Sequence, residues 1–158
     1  MAKYFVLDAN SAGKNPEALK MAVDILKEDH WYELTEERLK PWLSQVSFLL
    51  AIEKGKAIGY IEFERNEGLK ELRGKRYFTR EEHRKRGIMF GLIKELTKHA
   101  AKLGYHQIIT YGAEPVLRAV MRKIKKRTRT EELPFGTFVQ FASKPKPKKP
   151  RINRPRGK

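Results

Sequence analysis

The chain contains no cysteine, which excludes disulfides, thiolate metal sites and a cysteine nucleophile. Its four histidines, His30, His83, His99 and His106, show no zinc-binding spacing, so no metal is expected. No apolar run approaches the ~20 residues needed to cross a bilayer. The opening stretch, Met1 to Asp8, lacks a signal-peptide core. The expectation is a soluble cytoplasmic protein. Gly13-Lys14-Asn15 lacks the flanking residues of a Walker loop, and no G-x-G-x-x-G fingerprint occurs. With 158 residues there is room for one well-cored domain.

Acidic residues are outnumbered, 19 against 35 basic ones, for a net charge of +16. Lys144 to Lys158 holds eight Lys/Arg and no acid, and Arg118 to Arg129 holds seven more without an acid. Such a field favours polyanions: DNA, RNA, a ribonucleoprotein or an anionic membrane surface. The candidate phosphate contacts are Arg118, Arg122, Lys123, Lys125, Lys126 and Arg127, with Lys146, Lys148, Lys149, Arg151, Arg154 and Arg156 beyond them. A nucleoid- or ribosome-associated location would follow. The end of the tail, Asn153 to Lys158, has the composition of a truncated AT-hook, but sequence-blind phosphate contact is the simpler reading. A merely solvated solubility tail is the alternative. Four prolines interrupt the charges after Ser143, which divides the chain into a domain over 1–143 and a flexible tail over 144–158.

Within the domain, Lys3–Leu7 reads as a strand. Asn15-Pro16-Glu17 has the form of a helix start, with Asn as N-cap and Pro at the first helical position. Leu19, Ala22, Val23 and Leu26 extend that helix to about Glu28. Thr35-Glu36-Glu37 begins a second helix, which Pro41 kinks or ends. Strands are expected over Phe48–Glu53 and Ala57–Arg65, around the tight turn Lys54-Gly55-Lys56, and from about Glu71 to Arg80. The clearest element is a helix from Ile88 to about Leu103. Ile88, Leu92, Ile93, Leu96, Ala100 and Leu103 form its apolar stripe, and Gly104 closes it. A strand over His106–Tyr111, a basic helix over Val116–Lys126 and a strand over Gly136–Ala142 complete an α+β order around a mixed sheet.

Arg84-Lys85-Arg86-Gly87-Ile88-Met89 lies between a strand and that helix. A short basic loop opening into a helix offers unpaired amides at the positive end of a helix dipole, a ready site for pyrophosphate. In this setting the segment resembles the Q/R-x-x-G-x-G/A signature of the GCN5-related N-acetyltransferase superfamily, and the likeness covers about residues 3–142. Arg84 and Gly87 match; Met89 stands where glycine or alanine is usual, and with a shift of the chain by a turn Gly91 would supply some of the missing room.

The resemblance implies an acyl-CoA ligand. Arg84, Lys85, Arg86, Gly87, Ile88 and Met89 would hold its pyrophosphate. The strand around Phe78, Thr79 and Arg80 would pair with the pantetheine arm and polarise the thioester carbonyl. Trp31, Tyr32 and Trp42 cluster where such folds shape the acceptor pocket, although core packing suits at least one of them. Transfer to an amine also needs a base and an acid. Glu71 lies on the strand that supplies the base in similar enzymes, with Glu62 and Glu64 on the strand beside it. The tyrosine and asparagine usual in the later helix are missing, so Tyr111, with Glu114 as a relay, is the nearest acid, or else Tyr111 is a core aromatic. Two functions follow, beside a third, acetylation of a small amine, that leaves the charge unused. One is an acyl-CoA-dependent N-acyltransferase acting on nucleic acid or a nucleic-acid-associated protein. The other is an inactive protein of that fold serving as a nucleic-acid-binding or assembly component.

Overall fold

The computed structural model describes residues 1–105, 107–111 and 138–140, the side chains being described through Tyr105 and at Ile108. Glu114, the Val116–Lys126 segment, the basic residues from Arg118 onward and the boundary at 143 lie outside the described residues, as does the side chain of Tyr111.

Six strands form one sheet in sequence order: β1 (Lys3–Leu7), β2 (Ser47–Glu53), β3 (Lys56–Asn66), β4 (Glu71–Thr79), β5 (Gln107–Tyr111) and β6 (Phe138–Gln140). All neighbours are antiparallel except β4 and β5, which run parallel. That pair needs a crossover, and α4 (Ile88–Lys102) supplies it. α1 (Ala9–Ala12), α2 (Pro16–Glu28) and α3 (Glu36–Trp42) precede β2.

Local chemistry explains these boundaries. Asn15 accepts from the amide of Ala18 with Pro16 at the first helical position, so α2 starts there. Thr35 caps α3, and Pro41 falls in its last turn. Gly104 takes φ +74° just past α4, a conformation in which a side chain would be strained.

The sheet divides two cores. On one face Leu49, Ile61, Phe63 and Leu72 pack against Ile88, Leu92, Ile93 and Leu96 of α4. On the other, Phe48, Leu50 and Tyr60 pack against Leu19, Val23 and Leu26 of α2 and Leu39 of α3. Burying each such side chain stabilises the fold by roughly 1.5–3 kcal/mol.

Candidate active site

The strands part at the centre of the sheet. β4 pairs with β5 only from Glu71 with Gln107 to Gly74 with Thr110, yet β4 runs on to Thr79. A bulge sits at the same point. Glu62 faces Arg76 and Phe63 faces Gly74, leaving Lys75 without an opposite residue on β3. The extra residue bends β4 and increases its local twist where the described pairing with β5 ends.

Beyond the bulge, amide direction alternates. The amide of Arg80 donates to Ile58 O at 3.0 Å, toward β3. Phe78 therefore also points to β3, while the main-chain groups of Tyr77 and Thr79 point to the opposite edge. Arg84 Nε donates to Thr79 O at 3.3 Å, consistent with that direction. Among the described residues, no strand pairs with this edge of β4. Thr79 Oγ1 is buried with no hydrogen-bond partner among them.

A turn of 3-10 helix, Glu81–His83, leads from this edge into the basic loop. Lys85 at φ +64° and Gly87 at φ +77° both lie in the left-handed region. Alternating conformations of this kind turn successive amides toward one point. No side chain caps α4, and an added Cβ at Gly87 would meet no atom within 4 Å. The loop therefore presents uncapped amides to open space at the positive end of a 15-residue helix.

The sequence of residues 17–121 matches the family model described as the acetyltransferase (GNAT) family, over more than half of the chain. The chain belongs to the GNAT acetyltransferase family. No curated protein sequence matches it. Solved structures of the same fold include an aminoglycoside acetyltransferase from an uncultured soil metagenomic sample, in complex with sisomicin. It is 14% identical with a TM-score of 0.62, covering 84% of this chain and 92% of that one. A ribosomal-protein-alanine N-acetyltransferase from Brucella melitensis is 19% identical with a TM-score of 0.61, covering 89% and 99%. The PaiA N-acetyltransferase of Thermoplasma acidophilum, in complex with coenzyme A, is 15% identical with a TM-score of 0.54, covering 87% and 97%.

Within this GNAT fold the basic residues read from the sequence divide. Arg80 belongs to the framework: its guanidinium donates to Ala57 O at 2.8 Å and pairs with Glu28 at 2.8 Å. Arg86 is held by Glu53, Nη2 donating to Oε1 at 2.9 Å and Nη1 to Oε2 at 3.1 Å, with His83 Nδ1 2.5 Å from Nη1. The hydrogen bond from Arg86 holds the Glu53 carboxyl below the usual carboxylate range. Arg86 thus fastens the loop to the β2–β3 turn. We expect Glu53→Gln to leave the fold intact but raise the Kd for coenzyme A several-fold, measured by calorimetry. The wild-type protein should show the same weakening as pH falls through the lowered carboxyl of Glu53.

Gly91 does not supply room for a ligand. An added Cβ there would fall on the hydroxyl of Tyr4, whose ring fills that space. Met89 is half-buried and packs against the α4-side core.

The carboxylates also separate. Glu71 is buried, accepts from Arg73 Nε at 2.6 Å and from Asn66 Nδ2 at 3.4 Å, and precedes the point where β4 and β5 part. Glu64 is paired with Lys75. Glu62 lies directly across from Arg76, just beyond the parting, and is 4% exposed. Arg76 Nε stands 3.5 Å from Glu62 Oε2, an ion pair without a hydrogen bond, and that oxygen has no hydrogen-bond partner among the described residues. Burial pushes the Glu62 carboxyl up, against the opposing pull of Arg76 and Lys75.

The segment between α2 and α3 covers this face. Trp31 stacks on the Arg76 guanidinium at 4.6 Å and on Trp42 at 4.8 Å. Rings then continue through Phe48 and Tyr60 to Phe78, with centroids 5.8–5.9 Å apart. Tyr60 donates to Asp29 Oδ2 at 2.5 Å, and burial raises its hydroxyl further above the ordinary range. A groove of about 590 Å³ opens beside Trp31, lined also by His30, Tyr32, Leu34, Arg38 and Trp42. Tyr32 is 72% exposed and offers its ring to solvent. Trp31 and Trp42 are only partly buried against the core, so both serve packing and the groove wall at once.

Proposed function

We propose that this protein transfers an acetyl group from acetyl-CoA to a primary amine, with the thioester at the parted edge of β4 and the amine on the Glu62 side. The observation that carries this reading is the coincidence of three features: the bulge at Lys75, the end of β4–β5 pairing at Gly74, and the uncapped start of α4. The orphaned Thr79 Oγ1 and the open space at Gly87 suit a polar, phosphate-bearing ligand.

When bound, acetyl-CoA supplies the activated acyl group. The amides of Gly87, Ile88 and Met89 would hold its diphosphate, with Arg84 and Lys85 adding charge. Along this edge of β4, Thr79 rather than Phe78 or Arg80 would donate a main-chain hydrogen bond. The amine arrives protonated, its reference pKa being near ~10.4. Glu62 takes that proton, because it is the buried carboxylate whose oxygen lacks a hydrogen bond. Glu71, already engaged by Arg73 and Asn66, is the weaker choice. Tyr111 as the acid, with Glu114 as its relay, stays a proposal on sequence grounds.

For the acceptor, the +16 charge supports an amine on a nucleic-acid-associated protein. The test of the central reading is direct. Acetyl-CoA should bind by calorimetry and raise Tm, and thiol release should follow when a primary amine is added. No heat with coenzyme A would overturn the reading and leave a non-catalytic cationic scaffold of the same fold.

A further inference from the structure

Trp31, Arg76 and Glu62 form a stack whose middle member is the exception. Glu62 is fixed and almost fully buried, its side chain 5% exposed, and Trp31 is held in the ring cluster with Trp42. The side chain of Arg76 is 50% exposed and touches both without a hydrogen bond to Glu62. An aromatic face above a carboxylate is a site for an organic cation, since the ring quadrupole and the carboxylate both attract positive charge. The geometry points to a subsite for an alkylammonium group between Trp31 and Glu62, which the guanidinium of Arg76 fills until an acceptor amine displaces it.

This inference rests on the transferase reading and names its acceptor class: a primary amine on a flexible aliphatic stem, as on a lysine side chain. Three observations support the exchange. A guanidinium has five donors, yet none makes a hydrogen bond to Glu62 Oε2, so the pair is poorly matched. A compact ammonium carries three donors on a point charge and suits the single unbonded Oε2 of Glu62 better. The adjoining groove, lined also by Glu33 and Arg38, presents Trp31, Trp42 and Leu34, apolar surfaces suited to a methylene stem. When Arg76 leaves, Glu62 loses the opposite charge that favours its ionised form, so it takes the proton of the arriving amine more readily.

The only tryptophans of the chain, Trp31 and Trp42, both line this groove, so intrinsic fluorescence reports on it directly. We would titrate the 158-residue chain with n-butylammonium chloride and with uncharged n-butanol, in wild type, Arg76→Ala and Arg76→Met. Both variants should bind n-butylammonium at least about fivefold tighter than wild type, because the internal competitor is gone. n-Butanol should bind no better in any of them. Glu62→Gln in the Arg76→Met background should remove the gain. Arg76→Met keeps an apolar stem over Trp31 should Arg76→Ala unfold. Unchanged or weaker n-butylammonium binding in both variants, or equal binding of n-butanol, would overturn the subsite. Calorimetry with coenzyme A on the same samples separates the two failures: retained heat leaves the transferase reading standing without this subsite.

Discussion

Glu62→Gln should lower kcat by about 10²–10⁴-fold, the usual contribution of a positioned base, while leaving the Kd for coenzyme A unchanged. The same substitution should raise Tm at about pH 7. These opposite signs have one cause. Burial raises the folded-state pKa of Glu62, so its protonated form is favoured in the folded protein. The stability that this form contributes is fully present below the unfolded pKa and is lost as pH rises through the folded value. At neutral pH the ionised side chain therefore sits in a setting that disfavours its charge. Gln keeps the shape and removes the charge, and Arg76, half-exposed, is left to solvent. Thermal scans from about pH 4 to pH 8 check this, because the Tm gain should vanish at the acid end, where both side chains are neutral. In the wild-type protein, kcat/KM should rise with pH along a limb set by Glu62, above the ordinary glutamate range, and the variant should lack it. A variant that loses stability together with activity would show Glu62 to be a framework residue.

How legible this was from sequence depends on whether the signal is local. Asn15-Pro16 and the stripe from Ile88 to Ala100 carry their own start, period and stop, and α2 and α4 lie where those residues put them. The turns at Lys54-Gly55 and Gly104 were equally plain, since both glycines take positive φ. α1 was invisible: Ala9 to Ala12 is a single turn held by a capping box between Asp8 and Ser11, too short for any periodicity. The site was half legible. The features that support the proposed phosphate site from Arg84 to Met89, basic residues, a glycine and a helix start, are adjacent in the chain and so open to reading. Which arginines in and just before the loop pair with a carboxylate could not be read. Glu28 and Glu53, which take Arg80 and Arg86, are remote in sequence. The choice among Glu62, Glu64 and Glu71 was hidden for the same reason. Each alternates correctly on its strand, and only the bulge at Lys75 and the cover from Trp31 distinguish Glu62. Gly91 misled because sequence shows a missing side chain but not Tyr4, which already occupies the gap.

The second large effect is expected at a glycine outside the loop. A Cβ on Gly59 of β3 would stand 3.0 Å from Phe78 O, 3.1 Å from Ile88 Cγ2 and 3.3 Å from Leu92 Cδ1. Its absence lets the first turn of α4 lie directly on the sheet, and so sets where the uncapped amides point. Gly59→Ala demands a shift of a few tenths of an ångström, whereas Gly59→Val adds two methyls where backbone blocks the way. Overpacking of this kind costs about 1–3 kcal/mol, and Tm falls by roughly 2–4 °C per kcal/mol in a chain of this size. The loss should not be one of stability alone. Raising Ile88 off the sheet moves the start of α4 relative to Thr79, so the Tm rise given by acetyl-CoA should shrink more than the fall in stability explains. Gly13→Ala is the matching control: Gly13 lies at φ −67° with nothing within 4 Å of an added Cβ. It should be neutral or slightly stabilising, by up to ~1 kcal/mol, with the acetyl-CoA response intact. Should Gly59→Val lower Tm yet keep the full response, the seating of α4 on β3 would matter to the core but not to the ligand.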